Sequence, residues 1–96
     1  MSDFELKDLG AGKFELSGAM SFETADRILR ESEKLFRQHG DLEVDCSGVT
    51  DADSAGLALL LEWKSQANRR EGQIHFNGLP KSIVAIARTT EVDHML

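Results

Sequence analysis

The sequence predicts one α/β domain, in which a sheet built from a hairpin and two further strands carries its helices mainly on one face. Three observations lead there. The spacing of apolar residues switches between period two and about 3.6 along the chain in the order β-β-α-β-α-β-α. Each strand–helix–strand crossover should be right-handed and should set parallel strands side by side. The strands alternate polar with apolar, whereas parallel strands covered on both faces read as unbroken apolar runs. A chain of 96 residues has room for one such domain, 1-96, because domains usually run to about 100–150 residues. With 41% hydrophobic and 29% charged residues, it is apolar enough to fold by itself.

Taken in order, Phe4-Glu5-Leu6 and Lys13-Phe14-Glu15-Leu16-Ser17 alternate around Gly10-Ala11-Gly12 and predict a hairpin with one buried face. From Ser21 the period lengthens. Ala25, Ile28, Leu29, Ser32, Leu35 and Phe36 recur at helical spacing, with Ser21 placed to cap a first helix and Gly40 to end it. Leu42-Glu43-Val44-Asp45-Cys46 returns to strand alternation, and Gly48-Val49-Thr50-Asp51-Ala52-Asp53 has the small and acidic chemistry of a loop. Ser54 is placed to cap a second helix that runs to about Arg70 and is closed by Gly72. Gln73-Ile74-His75-Phe76 reads as the last strand, and Gly78-Leu79-Pro80 leads into a third helix carrying Ile83, Ile86 and Ala87. In the tail from Thr89 to Leu96, two roles stay open for Val92, Met95 and Leu96: continued helical packing, or simple cover for the core edge.

Charge narrows the function classes. Eleven Lys and Arg against seventeen Asp and Glu leave a net charge of -6, a sign that repels phosphate backbones and anionic headgroups and argues against nucleic acid and direct membrane binding. The longest apolar run, Leu57 to Leu61, falls far short of the roughly 20 residues of a spanning helix, and Met1-Ser2-Asp3-Phe4-Glu5 lacks the basic stretch of an export signal. The lone cysteine, Cys46, is set in a strand, which suits a reducing, cytoplasmic compartment.

Reactive chemistry is sparse. No glycine-rich run ends in Gly-Lys-Ser/Thr to cradle phosphates, and His39, His75 and His94 lack the paired spacing of a zinc site. Asp41, Asp45, Asp51 and Asp53 gather near the end of a strand, but Asp51 and Asp53 flank a helix start, where negative charge is favoured without any metal. Ser54 has no His near it in sequence to act as a base. The acidic neighbours Glu43 and Asp45 work against a reactive thiol at Cys46. The expectation is a protein without catalytic activity, metal or cofactor.

The second helix is wider in its apolar arc than one sheet face needs. Leu57, Leu60, Leu61 and Ala67 form the core stripe, while Leu59 and Trp63 lie about 60–100° round from its centre at 100° per residue. Either these two pack against the first or third helix, or they form a rim that anchors a partner, a place where tryptophan is enriched. Ala55, Gly56 and Ala58 keep the first turn small and leave room for a partner backbone.

The run Asp45-Cys46-Ser47-Gly48-Val49-Thr50-Asp51-Ala52-Asp53-Ser54-Ala55-Gly56-Leu57-Ala58-Leu59-Leu60 resembles the strand–loop–helix signature of STAS domains. In that family an apolar strand ends in Asp-Leu/Cys-Ser and continues Val-x-x-Asp-Ser/Thr-x-Gly-Leu. Asp53, Ser54, Gly56 and Leu57 match its Asp-Ser/Thr-x-Gly-Leu part position for position. The resemblance implies a mixed sheet of four or five strands with interspersed helices and a role as a non-catalytic protein-binding module.

Two branches of the family compete. Bacterial anti-sigma factor antagonists bind a kinase-type anti-sigma factor and are phosphorylated on the Ser or Thr just before the motif glycine, where this chain has Ala55. The MlaB-type subunit of the Mla phospholipid ABC transporter carries Thr or Ser where Ser54 stands and a small residue where Ala55 stands. Its short length and the run Gly56-Leu57-Ala58-Leu59-Leu60-Leu61 also place the chain nearer this second branch. The resemblance thus implies a cytoplasmic subunit, held peripherally at the inner membrane by its partner, that binds and supports a transporter ATPase. An anti-sigma factor antagonist without its phosphorylatable residue is the alternative. The implied partner-binding residues are Asp53, Ser54, Ala55, Gly56, Ala58, Leu59 and Trp63, with Ser54 as a hydrogen-bonding contact and not a phosphosite.

Overall fold

The structure is a computed structural model that describes residues 3–96. Strands β1 (Phe4–Gly10) and β2 (Lys13–Met20) are followed by helix α1 (Ala25–Phe36), strand β3 (Asp41–Ala52), helix α2 (Ser54–Arg69), strand β4 (Gln73–Asn77), helix α3 (Lys81–Thr89) and a short 3-10 turn, Asp93–Met95. This is the predicted order. The sheet has four strands, β1-β2-β3-β4, with β1 antiparallel to β2 and the rest parallel. The β1–β2 turn takes positive φ at Gly10 (87°), Ala11 (56°) and Gly12 (79°), a conformation that glycine adopts without steric penalty.

Register explains why alternation predicted one covered face. Phe14 lies opposite Val44, Val44 opposite Phe76, and Leu42 opposite Ile74, so the apolar residues of neighbouring strands share one side. Against that side pack Ile28 and Phe36 of α1, Leu57, Leu60 and Ala67 of α2, and Ile83 and Ala87 of α3, all buried. The other side presents Glu5, Lys7, Lys13, Glu15, Glu43, Gln73 and His75, all exposed.

An aromatic row crosses the helix layer. Phe14 stands 4.9 Å from Phe36, Phe36 5.1 Å from Trp63, and Trp63 6.3 Å from Phe76, centroid to centroid. These are spacings at which tilted rings attract beyond simple burial. The buried indole N–H of Trp63 donates to Ser32 Oγ at 2.9 Å, and Ser32 Oγ donates to the Leu29 carbonyl at 2.7 Å. Ser32, a polar residue on the apolar stripe of α1, is therefore what lets a tryptophan be buried without an orphaned donor.

Three local expectations are corrected. The stretch Gly48 to Ala52 does not form a loop; it extends β3 and pairs with β2 as far as Met20 opposite Ala52, across irregularities between Glu15 and Ser17 and between Gly18 and Ala19. A Cβ on Gly48 would meet Ser17 Cβ at 2.9 Å, so the small residues serve close approach of a bulged strand pair. Helix α1 begins at Ala25 and not at Ser21: a turn intervenes, in which Thr24 Oγ1 accepts from the Ser21 amide at 3.0 Å and donates to the Ala19 carbonyl at 2.9 Å. Gly40 is not the helix stop, since α1 ends at Phe36 with the Arg37 amide donating to the Glu33 carbonyl. In the tail, Val92 and Leu96 pack on the core while Met95 is 48% exposed.

Candidate docking site

The parallel strands β2 and β3 end side by side at Met20 and Ala52, and the chain leaves each of them for the start of a helix. At the second of these exits Asp53 is extended (φ -139°, ψ -167°) and its two carboxylate oxygens do separate jobs. Oδ1 accepts from the Ala55 amide at 2.9 Å, which caps α2. Oδ2 accepts from the Phe22 amide at 3.1 Å, which ties the β2–α1 turn to the start of α2. Asp53, not Ser54, is the cap. Ser54 is the first helical residue, exposed, and its hydroxyl makes no hydrogen bond among the described residues.

The rest of the expected docking set divides by exposure. Gly56 is buried: a Cβ there would stand 2.4 Å from the Met20 carbonyl oxygen, so its smallness is used inside the domain to seat α2 against β2, not to admit a partner. Leu59 and Trp63 are 4% and 1% exposed, which corrects the expectation that they form a partner-binding rim. Trp63 is held among Phe36, Phe76 and Ser32 as described above, because α1 covers the side of α2 that the sheet does not. Outward remain Ser54 and Ala58, exposed, with Ala55 and Asp53 half-buried. Ala55, Ala58 and the edge of Leu59 join Ala25 and Leu29 across from them in a groove of about 370 Å³ between α2 and α1, flanked by Asp26 and Glu62.

One residue of this edge escaped the sequence reasoning. Phe22 is 84% exposed at the β2–α1 turn. Phe22 stands three residues before Ala25 and seven before Leu29, so at helical spacing it reads as one more residue of the buried apolar face; the turn from Ser21 to Thr24, ahead of the helix start at Ala25, takes it off that face.

Elsewhere the polar groups have structural duties. Asp41 Oδ1 accepts from the Gln73 amide at 3.1 Å, and Asp45 Oδ1 accepts from the Ser47 amide at 2.9 Å; the Ser47 backbone and side chain hold the Asp45 carboxyl below its ordinary range. Burial, with Asp45 adding to it, pushes the Cys46 thiol up to about 12, which leaves it protonated at neutral pH. Among the described residues no group of three His, Cys, Asp or Glu is gathered to hold a metal ion. No helix there is long and apolar enough to cross a membrane. Two further hollows, one between β1 and α1 around Ser17 and Glu31 and one on the open sheet face around Glu15 and Asp45, are lined mainly by polar and acidic residues.

A family model described as "Mlab, STAS domain" matches residues 6–96 of the chain. The chain belongs to the STAS domain family. Among solved structures, this STAS domain is similar to the anti-sigma factor antagonist SpoIIAA in its unphosphorylated form, with a TM-score of 0.69 and 13% identity over 96% of this chain and 84% of that one. At that identity the likeness shows the fold. No curated protein matches the chain. The strand–loop–helix signature of the STAS domain falls on the end of β3, the Asp53 cap and the first turn of α2.

Proposed function

We propose that this STAS domain is a non-catalytic docking subunit that binds and supports the ATPase of an Mla-type, phospholipid-transporting ABC transporter, and that it sits at the inner membrane through that partner. One observation carries the proposal: the exposed, unbonded hydroxyl of Ser54 at the first position of α2, followed by Ala55 before the motif glycine. Because Asp53 already caps the helix, the Ser54 hydroxyl is spare for a partner. Ala55 offers no oxygen for a phosphate, so the contact is constitutive. The description of the matching family model supports the same branch.

Ser54→Arg tests it. An exposed first-turn residue that carries no cap tolerates substitution with little change in stability, whereas a bulky cation at the centre of the contact blocks docking. The expected result is loss of co-purification with the ATPase at an unchanged circular dichroism spectrum, with the melting temperature lower by no more than a few degrees, since a cation beside a helix amino terminus costs about 0.3–1 kcal/mol; undiminished binding defeats the proposal. The likeness to SpoIIAA favours a second reading, an anti-sigma factor antagonist that cannot be switched by phosphorylation at Ala55. Nucleotide-dependent binding to an anti-sigma kinase, without any affinity for the ATPase, establishes that reading instead.

A further inference from the structure

We infer that the docking edge extends beyond the signature to Phe22, and that it takes a basic segment of the partner whose apolar side chain seats in the groove between α1 and α2. The inference rests on the docking reading above and adds the chemistry of what docks. Two features converge on it. First, the groove walled by Ala25, Leu29, Ala55 and Ala58 lies beside the β2–α1 turn, where Phe22 is 84% exposed. A single exposed aromatic is ordinary on a protein surface. This one is not left to drift: its amide is bonded to the carboxylate that caps α2, so the ring's backbone is fixed relative to Ser54 before any partner arrives. Preorganised aromatic anchors of this kind dominate interface energetics.

The second feature is charge. Residues 21–26 and 51–63, which frame the groove and both helix starts, carry Glu23, Asp26, Asp51, Asp53 and Glu62 and no Lys or Arg. Asp26 is bonded to Arg30 and Glu62 to Arg69, and these pairs are close to neutral. Glu23 and Asp51 make no ion pair among the described residues, and Asp53 is bonded to backbone amides only. Three uncompensated carboxylates outweigh the roughly half a positive charge that each of the two helix amino termini presents. The edge is therefore apolar in the middle and negative around it, the complement of an apolar side chain flanked by Lys or Arg.

The test is a titration of the purified ATPase subunit against four forms of the domain: wild type, Phe22→Ala, Phe22→Leu and the double variant Glu23→Lys/Asp51→Lys, each at low and high salt. Wild-type affinity should fall as salt rises, because exposed charges are screened within a Debye length of about 10 Å at 0.1 M. Phe22→Ala should weaken binding by about tenfold or more, on the scale of an interface anchor, and Phe22→Leu should keep most of it. The double variant should bind weakly and should no longer lose affinity as salt rises, since the reversed charges repel a basic segment and salt screens that repulsion. Circular dichroism of all three variants should match wild type, since the altered side chains are exposed.

If Phe22→Ala and the double variant bind like wild type while Ser54→Arg abolishes binding, the docking reading stands and this extension of it is overturned. If Ser54→Arg also binds undiminished, both fail. Sedimentation gives a third check: a wild-type dimer that becomes a monomer in Phe22→Ala would mean that a second copy of this chain occupies the edge, and would overturn the basic partner.

Discussion

Asp53 joins two chain segments with one carboxylate. Its Oδ1 satisfies an amide of the first turn of α2 and its Oδ2 holds Phe22, so removing it acts at two places. Asp53→Ala should lower stability by about 1 kcal/mol through the lost cap, read as a lower urea midpoint at unchanged slope, and should weaken docking further by releasing the Phe22 turn. A variant that keeps full stability would refute the capping role. Cys46 makes the contrasting case of a residue that does nothing outward. Its thiol keeps its proton up to about 12 in the folded chain but ionises near the ordinary 9.0 when unfolded. The contribution of this group is thus complete below pH 9.0 and lost as pH rises from there through about 12. Stability should decline across that window, less so in Cys46→Ala, and a thiol reagent at pH 8 should label the chain only after denaturant is added.

At the scale of an element, α2 has three faces with three duties. One lies on the sheet, one is closed by α1 through Trp63 and Ser32, and the first turn presents Ser54 and Ala58. Gly56 decides how closely the helix approaches β2. In an exposed helix, Gly→Ala gains about 1 kcal/mol. Here the new methyl would stand 2.4 Å from the Met20 carbonyl oxygen, a backbone atom that cannot rotate away. Overpacking of that kind costs about 1–3 kcal/mol and should win, so Gly56→Ala is expected to melt at a lower temperature than wild type. A rise in melting temperature would show that α2 has slack against β2. The same closeness explains why β3 runs to Ala52: its last residues pair with the end of β2 and deliver Asp53 beside the β2–α1 turn.

For the whole molecule, the one-sided helix layer sorts the surface into regions of different character. The open sheet face is polar and charged, and the end of the domain where β2 and β3 run out gathers an apolar groove, an exposed aromatic and uncompensated carboxylates. The Ser54→Arg co-purification and the salt-dependent titrations both address this end. Both measure association at this end of the domain.

The order of elements and the single covered face could be read from the residues, because period two survives in Phe14, Leu16, Leu42 and Val44 and the register then aligns them. The signature at Asp53, Ser54, Gly56 and Leu57 was equally legible, being a local pattern. What the residues alone did not decide was which apolar side chains turn outward. The width of an apolar arc says how much of a helix must be covered but not by which neighbour, so Leu59 and Trp63 fit a helix contact and a partner rim equally well, and it is α1 closing over them that selects the first. Cap geometry was undecided for a similar reason: Asp53 and Ser54 both suit a cap, and the choice fell to the one whose second oxygen could reach a turn 31 residues away. Phe22 became visible only with that long-range bond. By itself the sequence determined the fold and the family signature; the tertiary structure decided which residues of the proposed docking edge are exposed, because exposure depends on packing between segments far apart in the chain.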